Sequence, residues 1–134
     1  MFLIAFALLL AAATVGALVR GGKLERQGAA LFITAWTASL TAQWLSGETS
    51  PGLWLPIIDA TVLWVLVALT WRSPRPWPVQ ACGFQMLIVA GDVAKWVKPT
   101  LDVTLHLSFL AALSFGAVAT LAIGAWLPPG PRQR

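Results

Sequence analysis

The stretch Gln-Met-Leu-Ile-Val-Ala-Gly-Asp-Val-Ala-Lys-Trp, residues Gln85–Trp96, places an amide, an acid and a base inside an apolar run. That run extends over residues 79–98, which is about the length that a helix needs to cross the ~30 Å hydrocarbon core of a bilayer. Ionisable groups are costly in hydrocarbon and usually face the interior of a helical bundle. Asp92 and Lys95 therefore predict a buried polar site or pair among membrane helices.

The composition points to the same class of protein. The chain has 134 residues, of which 58% are hydrophobic and 10% are charged, against about 25% charged residues in a typical soluble domain. The mean hydropathy is +0.78. The net charge of +4 comes from basic residues scattered between apolar runs, so we expect no nucleic-acid partner. The lipid bilayer is the expected surrounding.

Four further apolar runs have lengths similar to that of the first. Because each run is close to the ~20 residues of a membrane-spanning helix, we predict an all-α fold, a polytopic transmembrane helical bundle that forms a single domain over residues 1–134. Four spans are the alternative, if one run is re-entrant or interfacial. The predicted spans are residues 1–19, 28–46, 52–71, 79–98 and 103–127.

The distribution of basic residues predicts the orientation. With five spans, seven of the nine Lys and Arg residues lie on one side, and Lys95 and Lys98 lie on the other. Basic loops face the cytoplasm, so the N-terminus is predicted outside and the C-terminus inside. Tryptophans at the span ends would form two interfacial belts, an outer one and an inner one: Trp44, Trp54 and Trp96, then Trp71, Trp77 and Trp126.

This orientation gathers polar residues in the outer half of the bundle. At 1.5 Å per residue, Asp59 and Asp92 lie at matched depths of about 10 Å. Asp92 and Lys95 are three residues apart and could pair directly, which would leave Asp59 to pair with His106 or to share Lys95. The predicted polar layer consists of Gln43, Asp59, Gln85, Asp92, Lys95 and His106.

The polar layer has two interpretations. We favour a structural one, in which buried polar pairs fix the packing of the helices. The alternative is a small hydrophilic cavity open to the outside that binds an ion, a proton or a small polar ligand. If Asp59 and Asp92 are close, one of them is expected to keep its proton, because like charges resist joint ionisation in a low dielectric. A single His without a nearby Cys is a weak metal signature, so no metal and no cofactor are expected.

No pattern in the chain indicates catalysis. Cys82 has no base within one helical turn, which favours a small core residue over a nucleophile. There is no Ser-His-Asp spacing, no phosphate-binding glycine loop and no CxxC pair. The sequence therefore predicts a protein that is not an enzyme.

The fifth span carries small residues at every fourth position. Ala112, Gly116, Thr120 and Gly124 continue a row that starts at Ser108, and such rows let helices approach closely. We expect this seam to contact another span of the same chain. An oligomer seam is the alternative.

The segment Arg20-Gly-Gly-Lys-Leu-Glu-Arg-Gln-Gly-Ala29 follows the first span directly. It resembles the first loop of uncharacterised small multi-pass membrane proteins of alphaproteobacteria and their prophages. The resemblance implies a bacterial inner-membrane setting and carries over no activity or site residue.

The predicted function is that of a small, non-enzymatic accessory or scaffold subunit. Such a protein would pack against a membrane-protein partner or associate with itself. One alternative is a small carrier or channel that uses the outer polar layer as its site. A phage holin-like protein is the other.

Overall fold

Five α-helices make up most of residues 2–46, 54–73 and 75–127, the parts of the chain that the computed structural model describes, and those parts contain no strand. The all-α prediction is therefore confirmed. The helices are α1 Phe2–Val19, α2 Lys23–Ser46, α3 Trp54–Trp71, α4 Trp77–Val97 and α5 Val103–Trp126. The second helix begins before the predicted start of its span at Gly28, because the polar residues after the Gly21-Gly22 turn are already helical.

The five helices form a closed circle. Each helix packs against the next one along the chain, α1 packs against α5, and α2 also touches α5 across the bundle. Helices α1 and α5 run in the same direction. The ring centroids of Phe6, in the first half of α1, and Phe115, in the middle of α5, are 5.2 Å apart. Further along both helices, the indole N–H of Trp126 donates to the carbonyl of Ala12.

Local chemistry defines two of the helix starts. Asp102 is the N-cap of α5, and its Oδ1 accepts the N–H groups of Thr104 at 2.8 Å and Leu105 at 3.2 Å. Glu25 lies in the first turn of α2, and its Oε2 accepts the N–H of Gly22 at 2.8 Å. Both contacts satisfy N–H groups that a helix start otherwise leaves without partners.

Two of the described helices, α3 and α5, are long and apolar enough to cross a membrane. Helix α1 is also apolar, but its apolar segment Leu3–Val19 is shorter than those of α3 and α5. Helices α2 and α4, which carry Gln43, Gln85, Asp92 and Lys95, are not among the helices apolar enough to cross a membrane.

The half of the bundle near the α1–α2 and α3–α4 connections is tightly packed. Ala17, Leu66 and Leu121 are completely buried there, and Trp77 is 2% exposed. The predicted interfacial position of Trp77 is therefore wrong. Its ring fills a slot in which a Cβ added at Gly28 or Gly124 would lie 2.4 or 2.6 Å from ring atoms. The other predicted belt tryptophans are exposed.

The row of small residues on α5 packs mainly against α4 of the same chain. Gly116 faces the ring of Phe84 and Gly124 faces Trp77, while Thr120 is buried and donates its hydroxyl to the carbonyl of Ala117 at 2.7 Å. These contacts favour the intrachain interpretation of the seam. Ala112 differs from the others because it is exposed and lines a cavity.

Candidate binding site in the bundle

A cavity of about 920 Å³ occupies the half of the bundle that contains the first turns of α1, α3 and α5. We call it the central cavity, because all five helices contribute to its wall. Small-molecule sites typically have volumes of about 300–1,000 Å³. The wall is mainly apolar and aromatic, and its polar side chains are Ser39, Gln43, Asp59, Gln85, Ser108 and Ser114.

Asp59 and Gln85 form the best-defined polar contact of this wall. Gln85 is 3% exposed, and its Nε2 donates to both the backbone carbonyl and the Oδ1 of Asp59, each at 3.1 Å. The two bonds join α4 to α3. They also hold the Asp59 side chain in one orientation, because a buried amide that lost these acceptors would be left unsatisfied.

Asp92 lies behind Asp59 on α4. The two carboxyl groups are within hydrogen-bonding reach of each other. Asp92 is 6% exposed, and its buried Oδ2 receives no hydrogen bond from any N–H or hydroxyl donor in the described residues. Two carboxylates in contact cannot both stay ionised at low dielectric. A single proton shared by the pair removes the repulsion and links α3 to α4.

His106 approaches the same acid from α5. Its Nε2 lies 3.6 Å from Asp92 Oδ1, which makes an ion pair only when the imidazole is protonated. The sequence analysis suggested His106 as a partner for Asp59, whereas the structure places it beside Asp92. We refer to Asp59, Gln85, Asp92 and His106 as the polar network, and its members come from α3, α4 and α5.

Lys95 is outside the polar network. Its ammonium donates to the carbonyls of Pro99, at 3.1 Å, and Leu101, so it does not form the direct pair with Asp92 that its spacing suggested. Lys95 lies in the last turn of α4, where carbonyls lack helical partners and a basic side chain can bond them. Lys95 therefore stabilises the α4–α5 turn.

Gln43 reaches the central cavity from α2. Its side chain is exposed and lies in the same wall as Asp59 and Gln85. The structure therefore places Gln43, Asp59 and Gln85 in the wall of one cavity. Asp92 and His106 do not line it, but Asp92 contacts Asp59 and His106 contacts Asp92.

A second polar cluster lies at the opposite, packed end, away from the outer half in which the sequence analysis placed the polar layer. Glu25 is 2% exposed, and its Oε1 lies 2.8 Å from Arg75 Nη1 and accepts the indole N–H of Trp77 at 3.3 Å. Arg75 Nη1 also donates to the carbonyl of Gly124 at 2.8 Å. The cluster thus joins α2, α5 and the α3–α4 connection.

The three prolines and two arginines of residues 72–78 predict a rigid, exposed connector between the third and fourth spans, and the structure contradicts this for Trp77 and Pro78. Trp77 and Pro78 are buried, and they form the first turn of α4, where proline is tolerated. The signal in the sequence was Glu25, the one acid among the basic residues assigned to that side. A lone acid there needs a basic partner, and Arg75 was available.

Within the described residues, no group of three or more His, Cys, Asp and Glu side chains is arranged to hold a metal ion. No family model, curated protein or solved structure matches the chain significantly. The described residues define an all-α bundle of five helices with a half-open cavity in one of its halves.

Proposed function

We propose that this chain is a multi-pass protein of the bacterial inner membrane that binds a small ligand in its central cavity. In this proposal all five helices cross the bilayer, with the N-terminus outside. The membrane-length helices α3 and α5 support it. So does the bias of basic residues toward one side, and the resemblance of residues 20–29 points to the same membrane.

Exposed apolar side chains give further support for insertion. Large apolar side chains cover the outside of the bundle on each of the five helices, where water would be a costly neighbour. Among them are Ile4, Leu8, Leu40, Ile57, Trp64, Met86, Val93, Leu105 and Ile123. A surrounding bilayer would contact this surface favourably. Helices α1, α2 and α4 pack against the membrane-length helices α3 and α5, so in this proposal they lie in the same bilayer.

The observation that carries the proposed function is the central cavity. A subunit that only holds partners together gains nothing from empty space inside its own bundle, since unfilled volume costs packing free energy. A binding protein needs that space, and it needs a few fixed polar groups in an otherwise apolar wall. Asp59 held by Gln85 meets that description. The function is therefore that of a carrier or receptor, without catalysis.

The scaffold role and the holin-like role stay predictions from the sequence. No contact in the described residues favours a holin. The seam on α5 is used largely within the chain, which leaves less reason to expect self-association through that face.

The test is saturable binding that depends on the cavity. We expect at least one of three tritiated probes of similar shape to bind the protein in nanodiscs: tetraphenylphosphonium, triphenylphosphine oxide or tetraphenylborate. Ala112→Trp fills the cavity from an exposed wall position and should abolish this binding. Ala94→Trp, at an exposed position of α4 outside the cavity wall, should leave it unchanged. Absence of saturable binding for all three probes would refute the proposed function.

A further inference from the structure

The charge of the cavity wall has one sign. Among the described residues that line the central cavity, Asp59 is the one ionisable side chain, and the wall includes no Lys, Arg or His. Helices α1 and α2 contribute no ionisable group to the wall. The cavity therefore presents a carboxyl group to whatever occupies it, with no cation in the wall to balance it.

No cation of the described residues forms an ion pair with Asp59. The Lys95 ammonium is bound by the carbonyls of Pro99 and Leu101. His106 lies beside Asp92, with its Nε2 at 3.6 Å from Oδ1, and not beside Asp59. Two acids in contact with one shared proton leave a net charge of −1, and the buried Asp92 Oδ2 still has no donor. A positive group inside the cavity would balance the Asp59 charge, which no cation of the cavity wall balances.

Aromatic rings form part of the cavity wall. The central cavity is lined by Phe6, Phe32, Trp36 and Phe115. Phe6 packs against Trp36, with ring centroids 5.8 Å apart, and against Phe115 in an edge-on arrangement at 5.2 Å. Aromatic faces attract cations as well as apolar groups. A wall of this kind suits a ligand that combines a positive charge with an apolar body.

We infer that the central cavity binds a monovalent organic cation whose apolar body contacts the aromatic wall and whose charge lies next to the Asp59 carboxyl group. This inference rests on the proposed ligand-binding function and names its ligand class. A metal ion is a poor fit, since hard cations need six or more oxygen ligands and most of this wall is hydrocarbon. An anion would face Asp59 with no basic group to receive it.

The test compares probes of similar shape and different charge. In nanodiscs, tetraphenylphosphonium should bind saturably, and neutral triphenylphosphine oxide and anionic tetraphenylborate should bind at least ten-fold more weakly. Asp59→Asn keeps the shape of the side chain and should weaken binding of the cation at least ten-fold. Asp102→Asn is the matched control. Asp102 is an exposed acid outside the cavity that caps α5, and asparagine also caps helices well, so binding should be unchanged.

A second variant keeps the test decisive if Asp59→Asn does not fold. Gln43→Lys places a cation in the cavity wall from an exposed position and leaves the polar network intact. It should weaken tetraphenylphosphonium binding at least ten-fold. If the neutral probe binds as tightly as the cation and both variants bind the cation normally, the inference is wrong while the proposed function stands. If none of the probes binds saturably to wild type, the proposed function itself is wrong.

Discussion

The Nε2 of Gln85 donates to two oxygens of Asp59, its backbone carbonyl and its Oδ1, both at 3.1 Å. One amide group therefore fixes both the helix α3 backbone and the acid that faces the central cavity. This contact makes Gln85 a positioning residue, because it sets where the Asp59 carboxyl group points.

Replacing that amide should destabilise the bundle. Gln85→Leu leaves the Asp59 carboxyl without its donor in a buried place, which we expect to cost about 1–3 kcal/mol. Thermal unfolding in mild detergent measures the effect. Gln80→Leu is the control, since Gln80 lies on the exposed face of the same helix and should change stability little. Equal effects of the two substitutions would show that the Gln85 contact contributes nothing.

The Glu25–Arg75 contact should show strong coupling. Removing one partner leaves a buried, uncompensated charge, which typically costs about 3–5 kcal/mol. Because the Arg75 side chain is 24% exposed, we expect Glu25→Gln to cost about 2–3 kcal/mol. Arg75→Gln in the Glu25→Gln background should cost much less than Arg75→Gln alone. Additivity within about 0.5 kcal/mol in this double-mutant cycle would contradict a direct interaction.

Two glycines should respond in opposite ways to alanine. At Gly124 a new Cβ would lie 2.6 Å from Cδ1 and 2.7 Å from Cγ of the buried Trp77, so Gly124→Ala should destabilise by about 1–3 kcal/mol through overpacking. At Gly83 nothing lies within 4 Å, and alanine should stabilise the helix by about 0.5–1 kcal/mol. Thermal unfolding of both variants checks this contrast. A neutral Gly124→Ala would mean that Trp77 does not fill that slot.

Cation binding should strengthen as pH rises. With one proton shared, the Asp59–Asp92 pair keeps one negative charge, and a bound cation competes for that charge with a second proton. Protonating His106 adds positive charge beside Asp92 and acts in the same direction, while Lys95 stays bound to the turn. Tetraphenylphosphonium titrations from about pH 5 to about pH 8 measure the dependence. His106→Gln should keep most of the dependence and Asp59→Asn should reduce it, and a flat wild-type profile would rule out proton competition.

The helices and the inward position of Asp92 could be predicted from the sequence, because apolar runs of spanning length and a costly acid within one of them are local signals. The partners could not. Lys95 is three residues from Asp92, which suggested a pair, but its ammonium donates to the carbonyls of Pro99 and Leu101. Glu25 and Arg75 are far apart in sequence, and their contact depends on how two connections meet across the bundle.

The burial of Trp77 could not be predicted from the sequence either. A tryptophan between two prolines near a span end resembles an interfacial anchor by its position alone. Its burial depends on Gly28 and Gly124, which come from two other helices and leave room for the indole. Only the packing of α2, α4 and α5 together reveals that slot.

The central cavity lies in one half of the bundle, and Trp77, Leu66 and Leu121 are buried in the other half. This packed half separates the cavity from the α1–α2 and α3–α4 connections. A ligand in the cavity would have to pass through it to reach that side of the bundle. Passage of a ligand to that side would require the Trp77 indole to move and the Glu25–Arg75 ion pair to break. Whether this ion pair breaks during function would therefore distinguish a transporter from a receptor.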